Sequence, residues 1–232
     1  MNTPTVPPNP QDEVDDIWGV HLESGTAALV VAHPDDETLW AGGTLLLHPK
    51  MTWRVFALCR AGDLDRAPKF RRALEELGAS GDIADLDDGP EQAPLAPADV
   101  EETICRFLGA DEFDLLLTHG PKGEYTRHRR HEETSRAVAA LWQAGRIRTR
   151  ELWMFAYEDG GGARLPEAIR EAHRKLPLRS ATWQAKRRII TEVYGFAPES
   201  WEARTTPRWE AFWCFTKPGQ YARWQEKEKT RR

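Results

Sequence analysis

TAALVVA at residues 26–32 runs directly into HPDDET at 33–38, and this junction decides the fold. The first stretch is short enough for a strand and apolar at consecutive positions. That pattern marks a strand covered on both faces, as in a parallel sheet with helices on either side. Residues 38–47 are apolar and contain two glycines, as expected of a helix packed closely on that strand. The alternation continues outward. Strands are expected at 53–59 (WRVFALC), 83–86, 114–118 (DLLLT) and 152–157 (LWMFAY). Helices are expected at 66–77, 97–108 and 130–144, the first with Phe70, Leu74 and Leu77 on one face and Gly78 as its stop. Beyond the glycines at 160–162 the pattern weakens to a helix at 181–194 and a late strand at 209–216. Strands alternating with helices of this length predict an α/β fold, a Rossmann-like, doubly wound, mostly parallel sheet in a single domain. Such sheets bind ligands at the carboxyl ends of their strands.

The chain has 232 residues, 40% of them hydrophobic and 30% charged, with a net charge of −5. This composition supplies a core, and the acidic balance argues against a general nucleic-acid binder. No apolar run approaches the roughly 20 residues of a membrane helix, and the Pro-rich, acidic start is no secretory leader. Residues 1–18 are expected to form a flexible arm, 19–216 the folded domain and 217–232 a basic tail with six basic and two acidic residues. Cys59, Cys105 and Cys214 are widely spaced and apolar in setting, an odd count that argues against a disulfide framework and fits a reducing, cytoplasmic location. Most of the ten tryptophans are expected in the core.

Two clusters carry chemistry. His33, Asp35, Asp36 and Glu37 follow the first strand, where a nucleotide-binding fold would carry a glycine-rich loop. A histidine with carboxylates at a strand end is favourable around a divalent cation. Pro34 stiffens the turn so that His33 and Asp36 point one way and Asp35 another. Helix capping accounts for one of the acids but not for the histidine and both acids. The second cluster, HGPKGEYTRHRRH at 119–131, follows DLLLT and so lies on the same sheet edge. His128 and His131 are three apart at a helix start, so one turn presents both to one place. Arg127, Arg129 and Arg130 either solvate the loop or hold an anionic group. No Gly-x-Ser-x-Gly elbow and no P-loop is present, which disfavours serine hydrolases and P-loop enzymes.

At these residues, AHPDDETLWAGGTL at 32–45 and THGPKGEYTRHRRH at 118–131, the chain resembles the PIG-L/LmbE family of zinc-dependent N-acetylglucosamine deacetylases. The resemblance implies His33, Asp36 and His131 as metal ligands, Asp35 as general base, a protonated His128 stabilising the transition state, Tyr125 assisting at the carbonyl and Arg66 in substrate binding. Arg127 is a further candidate for binding substrate. The family commonly reads Gly-Glu-Tyr-Gly-His-Pro-Asp-His, whereas this chain has one more residue before His128 and Arg129-Arg130 in place of Pro-Asp.

The expected activity is therefore a metal-dependent amidohydrolase acting on a linear amide. Zinc-activated water would remove the acetyl group from an N-acetylglucosamine-type small molecule, without nucleic-acid or membrane partners. The alternatives are an amidase for a non-sugar N-acyl or thiol-conjugate substrate, or a non-catalytic metal-binding module. His and carboxylate ligands suit Zn2+ and Fe2+ alike.

Overall fold

The structure is a computed structural model and describes residues 24–230. The expected arm at 1–18 lies outside the described residues. Among these residues the chain forms β1 (Gly25–Val31), α1 (Asp36–Leu47), β2 (Met51–Cys59), α2 (Arg66–Glu76), β3 (Ala79–Leu86), α3 (Pro97–Leu108), β4 (Glu112–Thr118), α4 (Arg129–Gln143) and β5 (Arg148–Phe155). The short pair β6 (Tyr157–Glu158) and β7 (Glu167–Ala168) and the strand β8 (Arg174–Pro177) follow. Then come α5 (Ser180–Arg188), continued by a π-helical turn at Ile189–Val193, α6 (Trp201–Thr205), β9 (Trp209–Phe215) and α7 (Pro218–Thr230).

Seven strands form one sheet in the order β3-β2-β1-β4-β5-β9-β8. The first five are parallel, and β9 runs antiparallel to both β5 and β8. The doubly wound, mostly parallel single domain expected from the sequence is what the chain forms. Strand alternation divides the core. Ala27, Leu29 and Val31 join Leu39, Trp40, Phe70 and Ile190 on one face, so α1, α2 and the π turn cover it. Ala28 and Val30 join Val100, Ile104, Val138 and Leu141 on the other, under α3 and α4. Trp40, Trp53, Trp142, Trp153 and Trp213 are buried, whereas Trp209 is half exposed. The segment read as a basic tail contains α7, whose Tyr221 is buried against Phe215 and Trp224. The five-residue α6, which has no counterpart in the sequence reading, is capped by the Ser200 hydroxyl accepting the Ala203 N–H at 3.1 Å.

Two features place the site. The strand order reverses direction between β1 and β4, which are hydrogen-bonded neighbours, so their carboxyl ends form the switch point at which such sheets bind ligands. Both motifs leave the sheet there. At Gly120 a Cβ would lie 2.4 Å from the Phe155 carbonyl oxygen, so only glycine lets the second motif pass so close to β5.

The far end of α1 is anchored by a fully buried ion pair. Lys186 Nζ lies 2.6 Å from Glu210 Oε1, and the same carboxylate accepts the N–H groups of Gly43 (2.7 Å) and Thr44 (2.6 Å) and the Thr44 hydroxyl (2.6 Å). Removing one partner of a buried pair leaves an uncompensated charge, a loss of about 3–5 kcal/mol. Lys186→Met is expected to lower the unfolding free energy by about that amount, measured by urea titration. An unchanged midpoint would show that the carboxylate is satisfied by the α1 donors alone.

Candidate metal centre and active site

Asp36, the first residue of α1, is the hub of the cluster. Its Oδ1 accepts the Trp40 indole N–H at 3.0 Å. Its Oδ2 accepts the His33 backbone N–H at 2.9 Å and lies 3.2 Å from His33 Nδ1, 3.3 Å from His131 Nε2 and 3.5 Å from His119 Nε2. His131 is fully buried, yet its Nε2 has no hydrogen-bond partner. Orphaned buried polar atoms are rare in folded proteins and call for an explanation. Ligands about 2.1 Å from a tetrahedral zinc stand about 3.4 Å from one another. The separations of 3.2 Å and 3.3 Å on either side of Asp36 Oδ2 match that spacing. The donors His33 Nδ1, Asp36 Oδ2 and His131 Nε2 therefore fit a divalent ion.

Both imidazoles turn their other nitrogen to a carboxylate. His33 Nε2 lies 3.2 Å from Asp88 Oδ1, and His131 Nδ1 lies 2.5 Å from Glu124 Oε2. Such outer carboxylates fix the tautomer of metal-binding histidines and strengthen them as donors. Glu124 Oε2 also accepts His119 Nδ1–H at 2.9 Å, and Oε1 accepts the Gly120 N–H at 2.8 Å. Burial opposes the charge on Glu124, but the two imidazoles prevail and hold its pKa down to about 2.

Two triads of donor atoms lie within 4.8 Å of one another, His33, His128 and His131, and Asp36, His119 and His131. His119 is not a free donor, because Nδ1 serves Glu124 and Nε2 accepts the Ala32 N–H at 2.9 Å. Burial disfavours its charged form, whereas Glu124 and Asp36 favour it and push the pKa up to about 9. The Ala32 N–H pointing at Nε2 nevertheless requires a lone pair there, so the ring is neutral with its proton on Nδ1.

Asp35 stands at the N-cap of α1 with φ of 107°, a left-handed conformation that is strained for a residue with a Cβ. Its carboxylate makes no capping bond. Instead Oδ2 lies 2.6 Å from Arg66 Nη1, and the strained peptide N–H donates to Glu37 Oε2 at 2.9 Å. Glu37 is itself held by the hydroxyls of Thr38 and Tyr194 at 2.5 Å and 2.7 Å. Burial, and then the adjacent Asp36 carboxylate, push the pKa of Asp35 up, with Arg66 pulling it back. Arg66 also stacks on Phe196, 4.5 Å from its ring centre.

His33, Asp35, Asp36, Arg66, Tyr125 and His128 line one open cavity of about 220 Å³. Tyr125 lines this cavity although the chain has one more residue before His128. Arg127 takes a left-handed φ of 53°, and Asp159 ties back Thr126 through its N–H (2.6 Å) and hydroxyl (2.7 Å), so the insertion loops outward. Arg127 is exposed and does not line the cavity, so the structure does not bring it to the site. The surroundings of His128 run against the positive charge expected of it. Burial, then His131 and His33, lower its pKa to about 3, and its buried Nδ1 has no partner. Sequence reasoning missed Arg60, Asp88, Trp201 and Glu202, which also line the cavity, and the bridging role of Glu124.

With two histidines and an aspartate converging beside an aspartate that caps nothing, the comparisons with known proteins acquire a meaning. Residues 28–142 match the family model of PIG-L, described as GlcNAc-PI de-N-acetylase. The chain carries a PIG-L domain. Among solved structures the chain resembles GalB, the 4-carboxy-2-hydroxymuconate hydratase of Pseudomonas putida KT2440, at 17% identity and a TM-score of 0.56, covering 82% of this chain and 95% of that one. It also resembles a deacetylase of the teicoplanin biosynthesis pathway at 14% identity and a TM-score of 0.52, covering 73% and 84%. The teicoplanin complex of such a deacetylase matches at 13% and 0.52, covering 73% and 86%. At these identities the solved structures show a shared fold, and the hydratase among them shows that the fold alone does not name a reaction. No curated protein matches the sequence significantly.

Glu124→Gln keeps the shape of the bridge but can no longer accept from His119, His131 and Gly120 together. It is expected to weaken zinc binding about 10- to 100-fold, read by chelator competition. Unchanged affinity would remove Glu124 from the support of His131.

Proposed function

We propose that this chain is a zinc-dependent N-deacetylase that hydrolyses the amide of a small N-acetylated sugar conjugate. The observation that carries the reading is the orphaned Nε2 of His131, set at ligand spacing from Asp36 Oδ2, which in turn neighbours His33 Nδ1. His33, Asp36 and His131 would hold the ion. When bound, it would supply Lewis-acid polarisation of the acyl carbonyl and a water of lowered pKa.

The chain's own residues supply the remainder. Asp35 lines the cavity beside the ligands without being tied to helix capping, and its raised pKa suits a general base working near neutrality. It takes the proton of the water that adds to the amide carbon. Arg66 holds the Asp35 carboxylate in place, so its contribution runs through the base. His128, being neutral, offers a ring N–H to the developing oxyanion, and Tyr125 lies within 5.5 Å of it, ring centre to ring centre. The proton held by Asp35 then passes to the leaving nitrogen as the C–N bond breaks, giving acetate and an amine.

The cavity supports a small polar substrate. Tyr125 and Trp201 present aromatic surface on which a sugar ring could stack, and Arg60, Asp88 and Glu202 offer partners for hydroxyls. No helix among the described residues is long and apolar enough to cross a membrane, and all three cysteines are free, which supports a cytoplasmic setting.

The test is amine release from a panel of N-acetylglucosamine derivatives, using as-purified, chelator-stripped and zinc-restored protein. Release is expected to vanish on stripping and to return with zinc. Asp35→Asn is expected to bind zinc normally while losing turnover by a factor of about 100 to 10,000. Retained turnover in that variant would remove Asp35 as the base. Amine release only from non-sugar amides would overturn the sugar assignment.

A further inference from the structure

The replacement of Pro-Asp by Arg129-Arg130 has no role in the chemistry above, yet Arg130 is among the most deeply buried charged residues of the chain, with 1% of its surface exposed. Four of the five N–H groups of its guanidinium have acceptors. Nε donates to the Asp87 carbonyl at 2.6 Å, and Nη2 to the Asp87 carboxylate at 3.2 Å and the Ala93 carbonyl at 2.9 Å. Nη1 donates to Glu133 Oε2 at 2.6 Å, and Glu133 Oε1 accepts the Leu95 N–H at 3.1 Å. The first turn of α4 therefore grips both ends of the loop that leaves β3, at Asp87 and again at Ala93 and Leu95. Only a planar fork of fixed donors reaches these acceptors at once, which a lysine ammonium cannot do.

The gripped loop carries Asp88. One oxygen of Asp88 meets His33 Nε2 at 3.2 Å and the Gln92 amide at 2.9 Å, and the other meets Arg60 Nε at 2.8 Å. The contact to His33 decides which nitrogen of that ring faces Asp36. Arg130 directly precedes His131, so one helical turn supplies a metal donor on one side and the grip on the loop behind His33 on the other.

We infer that Arg130 is a positioning residue of the metal centre, stapling the loop after β3 so that Asp88 holds His33 with Nδ1 towards Asp36. The inference rests on the proposed metal site. It differs from a simple packing role in one respect: the effect of Arg130 on the metal runs through Asp88.

A double-mutant cycle on the intact chain tests it. Zinc affinity is read by chelator competition for wild type, Asp88→Asn, Arg130→Lys and the double variant, with circular dichroism to establish folding. Each single variant is expected to bind zinc about 10- to 100-fold more weakly, and the double variant no more weakly than the worse single. Losses that multiply in the double variant would overturn the relay, as would a folded Arg130→Lys with wild-type affinity. Wild-type affinity in Asp88→Asn would overturn the relay and leave the metal site standing, whereas a wild-type protein that binds no zinc would overturn both. If Arg130→Lys does not fold, hydrogen exchange of the wild-type segment 87–95 decides. Added protection on zinc loading is expected, and unchanged exchange would contradict the coupling.

Discussion

The N–H of Ala32 donates to Nε2 of His119, and the whole site is organised around that bond. It crosses the point where the sheet reverses its order, joining the end of β1 to the end of β4. By occupying Nε2 it forces the His119 proton onto Nδ1, towards Glu124. Glu124 is thereby committed as an acceptor, and its second imidazole partner, His131, must donate from Nδ1 as well. The remaining nitrogen of His131 is then an unshared donor facing Asp36. A backbone bond at a strand end thus fixes the tautomer of a side chain two steps away.

The site concentrates charge and backbone strain. It gathers several carboxylates and four histidines in or beside one cavity, and it holds Asp35 in a backbone conformation costing on the order of 1–3 kcal/mol. The surroundings sustain this strain rather than relieve it. Glu37 accepts the Asp35 N–H and is itself held by Tyr194 from the turn after α5. The buried Lys186–Glu210 pair fixes the opposite end of α1, so the helix that presents Asp36 is tied down at both ends. A binding module would gain nothing from a strained aspartate that neither caps its helix nor shares the oxygen hub of Asp36. A base that must stand beside an ion without ligating it has reason to occupy that position.

Much of this was legible in the sequence, for definite reasons. Strands buried on both faces leave unbroken apolar runs, so β1 and β4 announced themselves, and ionisable residues at their ends marked the site. The proposed ligand set and the proposed base lie within two contiguous motifs. What stayed hidden comes from elsewhere in the chain. Asp88 sits in an acidic, turn-rich stretch that reads as a solvated loop, and only the fold brings its carboxylate to His33. Trp201 and Glu202 belong to a helix of five residues, too short to leave a periodic signal. Arg127 is the opposite case: a basic residue inside the motif that the fold leaves exposed and outside the cavity lining. The lowered pKa of His128 was invisible because it depends first on burial in the folded chain and then on the neighbouring His131 and His33.

The hydratase among the structural neighbours means that the chemistry here is decided by the side chains and not by the sheet. The central claim is that His33, Asp36 and His131 form one metal centre, and a crystal structure of zinc-loaded protein with anomalous scattering at the zinc edge tests it most directly. The account predicts one strong peak about 2.0–2.2 Å from His33 Nδ1, an Asp36 oxygen and His131 Nε2, with Asp35 and His119 outside the ligand sphere. A peak ligated by His119, or no peak among these residues, would contradict it.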